Sequence, residues 1–510
     1  MCPARTVYCG AITLAFMKPN SQSARPGTFT NLNRGLWLCP NLLVALVFLG
    51  AGCGTTQQLH IVTAPGGAQV AVRDAKGKGI AAGAAPLDIK VKFASSNPNY
   101  TIDVSPPANL ADRYLGKSTN ITQTGFLELP AYQGAKHRQL DVKLDEKLFM
   151  VVPHVEVVLD ARRTWRGAVI RSRAYKDVSE VGGAVPTQIA EFGENAGIQS
   201  LALSPDGTRI VYSAATYTLA PAELQKVFSA AEPRPIDIAG ANLNGVSISA
   251  GGIEHITSEN FRDMFPSFTA DGQHLLFTSN RRRANAEDIL RISALHRSGI
   301  SDIYVHRDAR LMRPTQAREG TMAFCIEEPN PVDSKQRFTI WTLGGPNQFP
   351  TQIQVGSQPA VSPDGKRIAY IGTDGNLWVV NTDGSQATQL SFGADKILER
   401  YKASLSSEEA ARHEAFVSEF GFPEKKPFSY PSWNSDGSSI TYTAMEGSDS
   451  TGRPNEDIWM MNYDGTSKQQ LTTNGSIDRY PLISPDGKWV YFMSNRGGRW
   501  AIWRIAAPPR

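Results

Sequence analysis

Cysteine is scarce in this sequence of 510 residues and is concentrated at its start. Four of the five cysteines lie within residues 1–53, and only Cys325 follows them. If that first segment is removed or modified, as argued below, one thiol remains and an intrachain disulfide is excluded, even in an oxidising compartment. Cys325 lies in the apolar run Met322–Ile326, so we expect a buried small side chain rather than a nucleophile.

Acidic residues are absent from residues 1–53, although the segment contains Arg5, Lys18, Arg25 and Arg34. These four account for the whole surplus of 52 basic over 48 acidic residues, so the rest of the chain is electrically balanced. A balanced chain offers no electrostatic basis for binding nucleic acid, and we expect none.

Signatures of common catalytic and metal sites are also missing. The sequence has no Gly-Lys-Ser/Thr phosphate loop, no His-Glu-x-x-His and no Gly-x-Ser-x-Gly elbow. Its eight histidines are scattered without metal-ligand spacing. We therefore expect a protein that is not an enzyme and that carries no cofactor and no metal, although a cation in an axial channel remains an alternative.

The sequence does contain a short motif that recurs six times, in which an acidic residue and a glycine separate two apolar runs. Pro before the acidic residue presets φ, Asp can accept bonds from the backbone ahead of it, and Gly tolerates positive φ. We interpret the acidic residues as turn formers at hairpin tips rather than as a calcium site. The six pairs are Asp206-Gly207, Asp271-Gly272, Glu319-Gly320, Asp364-Gly365, Asp436-Gly437 and Asp486-Gly487.

The spacing of the motif indicates a repeat architecture. Successive acidic positions lie 45 to 72 residues apart, and each interval holds about four short strand-like runs. Four strands per repeat of this length are typical of a propeller blade. An unpaired segment, Gln188-Ile189-Ala190, precedes the first turn, and we expect Val185–Phe192 to be the outer strand of the last blade. A proline stands five residues before the acidic position in five copies: Pro266, Pro314, Pro359, Pro431 and Pro481.

These motifs resemble the TolB-like six-bladed β-propeller family, with its WD40-like repeats, over about Val185 to Arg510. The fold class predicted is all-β, a six-bladed propeller preceded by a small β-sandwich-like domain. The resemblance implies a cell-envelope protein that binds other envelope proteins, including a peptidoglycan-associated one.

The beginning of the chain resembles a bacterial lipoprotein signal. The basic segment is followed by the apolar run Leu42–Leu49 and then by Gly50-Ala51-Gly52-Cys53. The resemblance implies cleavage before Cys53, lipidation of Cys53 and, because Gly54 follows, an outer-membrane location on the periplasmic or surface side. A plain signal peptide or a membrane anchor is the alternative, and the start is open between Met1 and Met17.

The domain organisation follows from these segments. We predict a signal peptide at 1–53, a tether at 54–57, a small β-domain at 58–148, a junction at 149–184 and the propeller at 185–510. The small domain resembles PEGA-type β-sandwiches and includes strand-like runs such as Gly125–Leu129. Within the junction, residues 155–159 and 166–170 could be strands.

Two insertions and one basic run interrupt the repeat. Residues 394–428 contain Ser406-x-x-Glu409, a capping-box pattern that predicts one amphipathic helix, either packed on the propeller or used for docking. The other insertion is 213–237. The run Arg281-Arg282-Arg283 is either a solvated hairpin tip or a candidate partner-binding site for acidic groups.

The function predicted from the sequence is recognition. We expect an exported, lipid-anchored, monomeric envelope protein whose rigid propeller binds a partner through its loops and channel mouth. A propeller-based hydrolase or lyase with an active site at the channel mouth is the alternative, and a purely structural surface protein is a third.

Overall fold

The computed structural model describes most of the chain after its first segment. The described residues belong to one compact unit, which lies within Gly54–Arg510. The predicted signal segment and Cys53 lie outside the described residues. The structure describes residues 55–93, 99–111, 113–133, 137–145, 149–159, 165–192, 197–230, 234–307, 309–329, 336–345, 347–420, 425–449 and 452–509.

The small N-terminal domain is built from two sheets around one apolar core. One sheet has the strand order β4-β1-β7 and the other β3-β2-β5-β6, and β1 and β7 run parallel. Alternate residues of β4 are buried, which places Ile89, Val91 and Phe93 in the core. The strands are β1 (Thr55–Ala64), β2 (Gln69–Asp74), β3 (Gly79–Ala84), β4 (Leu87–Phe93), β5 (Tyr100–Ser105), β6 (Lys117–Ile121) and β7 (His137–Lys143).

Two predictions for this domain were wrong. The run Gly125–Leu129 is not a strand, because residues Gln123–Glu128 form helix α1, whose N-cap Thr122 accepts a hydrogen bond from the N–H of Gly125 at 3.0 Å. Residues 55–57 are not a tether, because they pair with 91–93 of β4 as part of β1.

A long hairpin follows the small domain. Its strands β8 (Phe149–Leu159) and β9 (Trp165–Tyr175) pair antiparallel over their whole length. They include both segments of the junction that the sequence left open as possible strands. We refer to these two strands as the β8–β9 hairpin.

The remaining residues form six blades, which confirms the all-β propeller fold. Strand β10 (Thr187–Glu191) comes first. Blade 1 is β11 (Ile198–Leu203), β12 (Arg209–Tyr217), β13 (Ile238–Ser247) and β14 (Ile253–His255), and blade 2 is β15 (Met264–Phe268), β16 (His274–Arg283), β17 (Ala286–Ser293) and β18 (Ser301–Tyr304). Blades 3 and 4 are built from β19 (Arg310–Gln316), β20 (Met322–Pro329), β21 (Gln336–Gly344), β22 (Asn347–Val361), β23 (Arg367–Gly372), β24 (Leu377–Asn381) and β25 (Thr388–Gln389). Blade 5 is β26 (Phe428–Trp433), β27 (Ser439–Ala444), β28 (Asp457–Asn462) and β29 (Gln469–Gln470), and blade 6 begins with β30 (Asp478–Ile483), β31 (Trp489–Ser494) and β32 (Ala501–Ala506).

The ring closes through β10, the strand that precedes blade 1. It pairs antiparallel with β32 as the fourth strand of blade 6, which confirms the predicted closure. The first strands of the six blades touch one another in sequence, and β30 in turn touches β11. No edge is left open at this seam, because the last sheet takes its outer strand from the other end of the propeller.

Blades 3 and 4 share a strand. The first part of β22 is the outer strand of blade 3, paired with β21, and its last part is the first strand of blade 4, paired with β23. The two blades therefore form one seven-stranded sheet.

The insertions carry helices. Helix α2 (Pro221–Ser229) lies in the first insertion, and the second contains two helices, α3 (Ala394–Ala403) and α4 (Ser407–Phe420), rather than the one predicted. The N–H of Ser406 donates to Glu409 at 2.9 Å and the N–H of Glu409 to Ser406 Oγ at 3.3 Å, so the predicted capping box forms. Among the described helices, none has both the length and the apolar character needed to cross a membrane.

Candidate functional site: the propeller channel

The six acidic-Gly turns lie at one end of the first strands. Asp206 accepts hydrogen bonds from the Ser204 hydroxyl at 2.5 Å and from the N–H of Thr208 at 3.0 Å, and its pKa is lowered by the Ser204 bond. Asp271, Asp364 and Asp486 repeat the hydroxyl contact, and Asp436 accepts from the N–H of Ser438. All six glycines have positive φ: Gly207, Gly272, Gly320, Gly365, Gly437 and Gly487. The aspartates therefore act as turn formers, and together the six turns form a turn rim.

A channel runs along the propeller axis from this rim. It is a cavity of about 480 Å³, and its wall comes from the first strand of every blade and the turn that follows each strand. The residues that line it include no Asp, Glu, Lys, His or Cys among those described. Arg313 and Arg318 are its charged side chains, so the wall is basic.

The residue before each of the five repeated prolines faces this cavity in an unusual conformation. Phe265, Arg313, Gln358, Tyr430 and Tyr480 have φ between 50° and 56°, and the strand register shifts at each of them. A residue before proline ordinarily adopts an extended conformation, and positive φ is costly for a side chain larger than Gly. Bulges re-aim side chains, and these five all line the cavity. We call these five residues the pre-proline ring.

The pre-proline ring is packed by aromatic and cation–π contacts. The Arg313 guanidinium lies 4.6 Å from the ring centre of Phe265 and 5.2 Å from that of Tyr430. The rings of Tyr430 and Tyr480 are 4.1 Å apart, and the N–H of Tyr430 donates to Gln358 Oε1 at 2.6 Å. Burial raises the pKa of both tyrosines, so their hydroxyls stay protonated and can donate hydrogen bonds.

Beyond the pre-proline ring lies a buried group of charges. Arg479 donates to Glu456 through Nε at 2.6 Å and Nη2 at 3.1 Å, and Lys425 lies 3.4 Å from the same carboxylate. Glu156 of β8 lies 3.5 Å from Arg479. Burial lowers the pKa of Lys426, and the charges of Arg313 and Arg479 lower it further. Among the residues that the structure describes here, three basic side chains thus lie beside two carboxylates.

The β8–β9 hairpin covers the end of the channel opposite the turn rim. The N–H of Val157 donates to Gln199 Oε1 at 3.0 Å, and Gln199 Nε2 donates to the carbonyl of Val155 at 3.1 Å. At one end of the hairpin, Asn495 of blade 6 donates to Ser172 Oγ at 2.7 Å. At the other end, the ring of Trp165 lies 5.5 Å from Arg262 and 5.2 Å from Arg310, in blades 2 and 3. The hairpin therefore crosses this face of the propeller.

Both insertions pack against the hairpin. Val155 shares a cluster with Leu224, Val227 and Phe228 of α2, and Gly167 exchanges two backbone hydrogen bonds with Ile236. On the other side, Val158 and Ala168 pack with Phe420 of α4. Arg166 Nη1 donates to Glu419 of α4 at 2.9 Å. The two insertions thus have a structural role, since they hold the hairpin across the channel end.

The chain was then compared with known proteins. No family model matches it. An uncharacterized protein of Agrobacterium fabrum is 34% identical over 79 residues, which is 16% of this chain and 25% of the relative. A protein TolB homolog of Chlorobium luteolum is 27% identical over 155 residues, or 30% of this chain and 27% of the relative. Each match thus spans about a quarter of the relative's length.

Among solved structures, the chain is similar to a putative TolB from Agrobacterium tumefaciens. The sequence identity is 12%, the match covers 62% of this chain and 91% of the other, and the TM-score is 0.37. The six blades are therefore established here by their own strand pairing and not by this likeness.

The three arginines of the predicted basic site each form an ion pair with a carboxylate nearby. Arg281 bonds to Glu259 and to the buried Asp263 at 2.7 Å, and Arg283 bonds to the buried Asp288 at 2.5 Å. Arg282, which is exposed, pairs with Asp302 at 3.0 Å. The three arginines thus serve ion pairs within blade 2 and around it.

Sequence reasoning missed the pre-proline ring. The five prolines were noticed as part of the repeat, and the large side chains before them were the available signal. Cys325 is buried as expected, and burial raises the pKa of its thiol to about 12. Within the described ranges, no group of three or more His, Cys, Asp or Glu side chains could hold a metal ion.

Proposed function

We propose that this chain is a non-catalytic envelope protein that binds a segment of a partner protein in its propeller channel, entered at the turn rim. The observation that carries the proposal is the blind channel itself. Its wall is continuous from the turn rim to the pre-proline ring, and the β8–β9 hairpin lies behind that ring.

A rigid wall favours recognition over chemistry. The wall residues supply hydroxyls, amides, aromatic rings and two guanidiniums, but no carboxylate, imidazole, thiol or amine among the described residues. General acid–base catalysis most often uses a carboxylate, imidazole, thiol or amine. Tyrosine can also serve, but burial raises the pKa of Tyr430 and Tyr480 on this wall, which makes both hydroxyls poor general bases. Binding needs only shape, apolar surface and a few well-placed polar groups, and the channel has them.

The envelope location rests on the sequence. The lipoprotein-like segment that ends at Cys53 and the 27% identity to a TolB homolog over 155 residues support an exported, lipid-anchored protein. We propose that the small β-domain, which resembles PEGA-type sandwiches, spaces the propeller from the membrane. The partner would then be another envelope protein, including a peptidoglycan-associated one.

Site-specific photocrosslinking in the envelope of the producing cell tests the docking site. A photoreactive residue in place of Ala270, on the channel wall, should give a discrete adduct with the partner. The matched control places the same residue at the exposed Thr388 of outer strand β25, where no such adduct is expected. Equal crosslinking from both positions, or none from Ala270, would refute docking at the turn rim.

Membrane anchoring is tested separately with Cys53→Ala. The variant should leave the membrane fraction and lose the mobility shift that a lipid causes on gels. A variant that still partitions with membranes and shows no change in mobility would refute the lipid anchor.

A further inference from the structure

Arg313, which is half-buried on the cavity wall, differs from three arginines of the propeller that are paired with carboxylates. Arg479 is paired with Glu456, Arg496 with Asp478, and Arg281 with Asp263. Arg313 contacts only the rings of Phe265 and Tyr430, and no carboxylate among the described residues lies within ion-pair distance of it. A half-buried guanidinium that faces the cavity without a carboxylate partner is available to bind an anion from outside.

The backbone holds Arg313 in place. Its φ is 50°, and it lies in the register shift of β19 immediately before Pro314. The same backbone geometry recurs at Phe265 and Tyr430. Such strained residues persist where the surrounding structure over-determines them, and they cluster at functional sites. The guanidinium is therefore presented to the cavity from a rigid position.

The contacts of Arg313 leave its donors available. Its N–H groups lie in the plane of the guanidinium, whereas stacking with an aromatic ring uses the face of that plane. An in-plane pair of N–H groups matches the two oxygens of a carboxylate. The protonated hydroxyls of Tyr430 and Tyr480 belong to the same pre-proline ring and can add neutral donors.

Charge around the site favours an anion as well. The cavity wall carries Arg313 deep inside and Arg318 at the turn rim, where Arg318 Nη2 donates to the carbonyl of Ser435 at 2.7 Å. Behind the ring, the basic side chains of Arg479, Lys425 and Lys426 lie beside the carboxylates of Glu456 and Glu156. A single-sign cavity with low-dielectric walls attracts a ligand of opposite charge.

We infer that the channel recognises an acidic side chain of an extended peptide segment, whose carboxylate binds the guanidinium of Arg313. This inference rests on the proposed function, since it names the chemistry of the segment that docks there. Five residues separate Arg318 at the rim from Arg313, or about 17 Å of extended chain. A segment of about five residues would therefore reach Arg313 with an Asp or Glu near its leading end.

Selection from a displayed library of random heptapeptides against residues 54–510 tests the inference. Peptides selected on the wild-type protein should be enriched in Asp or Glu at one position, and Arg313→Gln should abolish that enrichment. Peptides that bind with no acidic preference would overturn the inference while leaving the proposed function intact. A failure to select any peptide that competes for the channel would count against the proposed function itself.

Affinity measurements on a selected peptide sharpen the result. Arg313→Gln should weaken binding about 10- to 100-fold, and replacing the peptide's Asp by Asn should do the same. The two changes together should cost little more than either alone, because they remove one interaction. Additive losses would show that the carboxylate binds elsewhere.

Three controls isolate the effect. Arg291→Gln removes an exposed charge on blade 2 and should leave the peptide's affinity unchanged. Arg313→Lys should show part of the acidic preference that Arg313→Gln lacks. The lysine keeps the positive charge but cannot donate two parallel hydrogen bonds to a carboxylate as a guanidinium can. If micromolar glucuronate displaces the peptide, the inference that the channel binds a peptide is wrong, and the ligand is a sugar acid.

Discussion

The guanidinium of Arg496 donates a hydrogen bond to the carboxylate of Asp478 over 2.7 Å, and neither side chain is exposed. A second bond of 2.7 Å links Arg496 to Glu180, which belongs to the segment between the β8–β9 hairpin and β10. Glu180 in turn accepts from the N–H of Asn474 at 2.9 Å. This network ties the entry of the chain into the propeller to the blade that closes it.

Removing the shared cation should therefore be costly. Arg496→Met leaves Asp478 and Glu180 close together without a counter-ion, and we expect the free energy of unfolding to fall by about 3–5 kcal/mol. Denaturant unfolding measures the change. Arg499→Met, which breaks the exposed pair with Glu191, is the control and should cost less than about 1 kcal/mol. Similar losses in the two variants would contradict this view.

The pair Arg479–Glu456 should make stability depend on acid pH. Burial alone would raise the pKa of Glu456, but the charges of Arg479 and Lys425 outweigh it and lower the pKa to about 2. Because the folded-state pKa is below the unfolded value, the stabilisation is complete above about pH 5 and is lost as pH falls towards 2.

The size of this effect follows from the shift of the Glu456 pKa, and is about 3 kcal/mol. We expect the difference in the free energy of unfolding between wild type and Glu456→Gln to decrease by that amount as the pH is lowered from 7 to 2. The control is Glu128→Gln at an exposed position, and its free energy of unfolding should vary with pH as that of the wild type does. A gap that stays constant with pH would disprove the coupling.

The closing seam should depend on Phe192. Its side chain is buried 4.8 Å from the ring of Tyr212 in blade 1, and its N–H donates to the carbonyl of Trp500 in blade 6 at 2.9 Å. Phe192→Ala should lower the free energy of unfolding by about 3–5 kcal/mol. Val185→Ala, at an exposed position before β10, should change it by less than about 0.5 kcal/mol. An intact stability in Phe192→Ala would argue against a seam of this kind.

The β8–β9 hairpin should loosen when a larger side chain is placed in the tightly packed position of Gly167. A Cβ at Gly167 would lie 2.7 Å from Val155 and 3.3 Å from the carbonyl of Ile236. Gly167→Val should therefore cost about 1–3 kcal/mol and speed hydrogen exchange at the N–H groups of Gly167 and Ile236. Gly252→Val, where nothing lies within 4 Å of the new Cβ, is the control. Unchanged exchange in Gly167→Val would show that the hairpin is not held there.

Local chemistry made the repeats readable from sequence. Asp, Gly and Pro favour a turn through contacts within about four residues of the chain, so all six hairpins were predictable. The closing strand β10 was predictable because its segment repeats the pattern of the other outer strands. Helix α3 of the 394–428 insertion was not predictable in this way, because its N-cap is Gly393, which has a left-handed conformation and no side chain to cap the helix. Helix α1 spans only six residues, which is too short for a helical period to stand out, and its cap Thr122 is the one local signal.

The candidate site was less predictable, since it depends on contacts between distant segments. Positive φ before proline runs against the local preference and is imposed by the bulges of the first strands. Among the described residues, no carboxylate lies within ion-pair distance of Arg313, whereas Arg281 and Arg283 each pair with one. This difference is set by which strands meet. The sequence shows the same residue type in both places.

Strand β22 gives the ring one joint unlike the others. Where it passes from blade 3 into blade 4, at Gly356, the covalent backbone itself carries the sheet across, and an added Cβ there would meet the carbonyl of Ile371 at 2.7 Å. To separate blade 3 from blade 4, heat or mechanical tension would have to break the pairing of β22 with β21 or with β23. The propeller is thus expected to come apart first at the β10–β32 seam, with blades 3 and 4 leaving together as one piece.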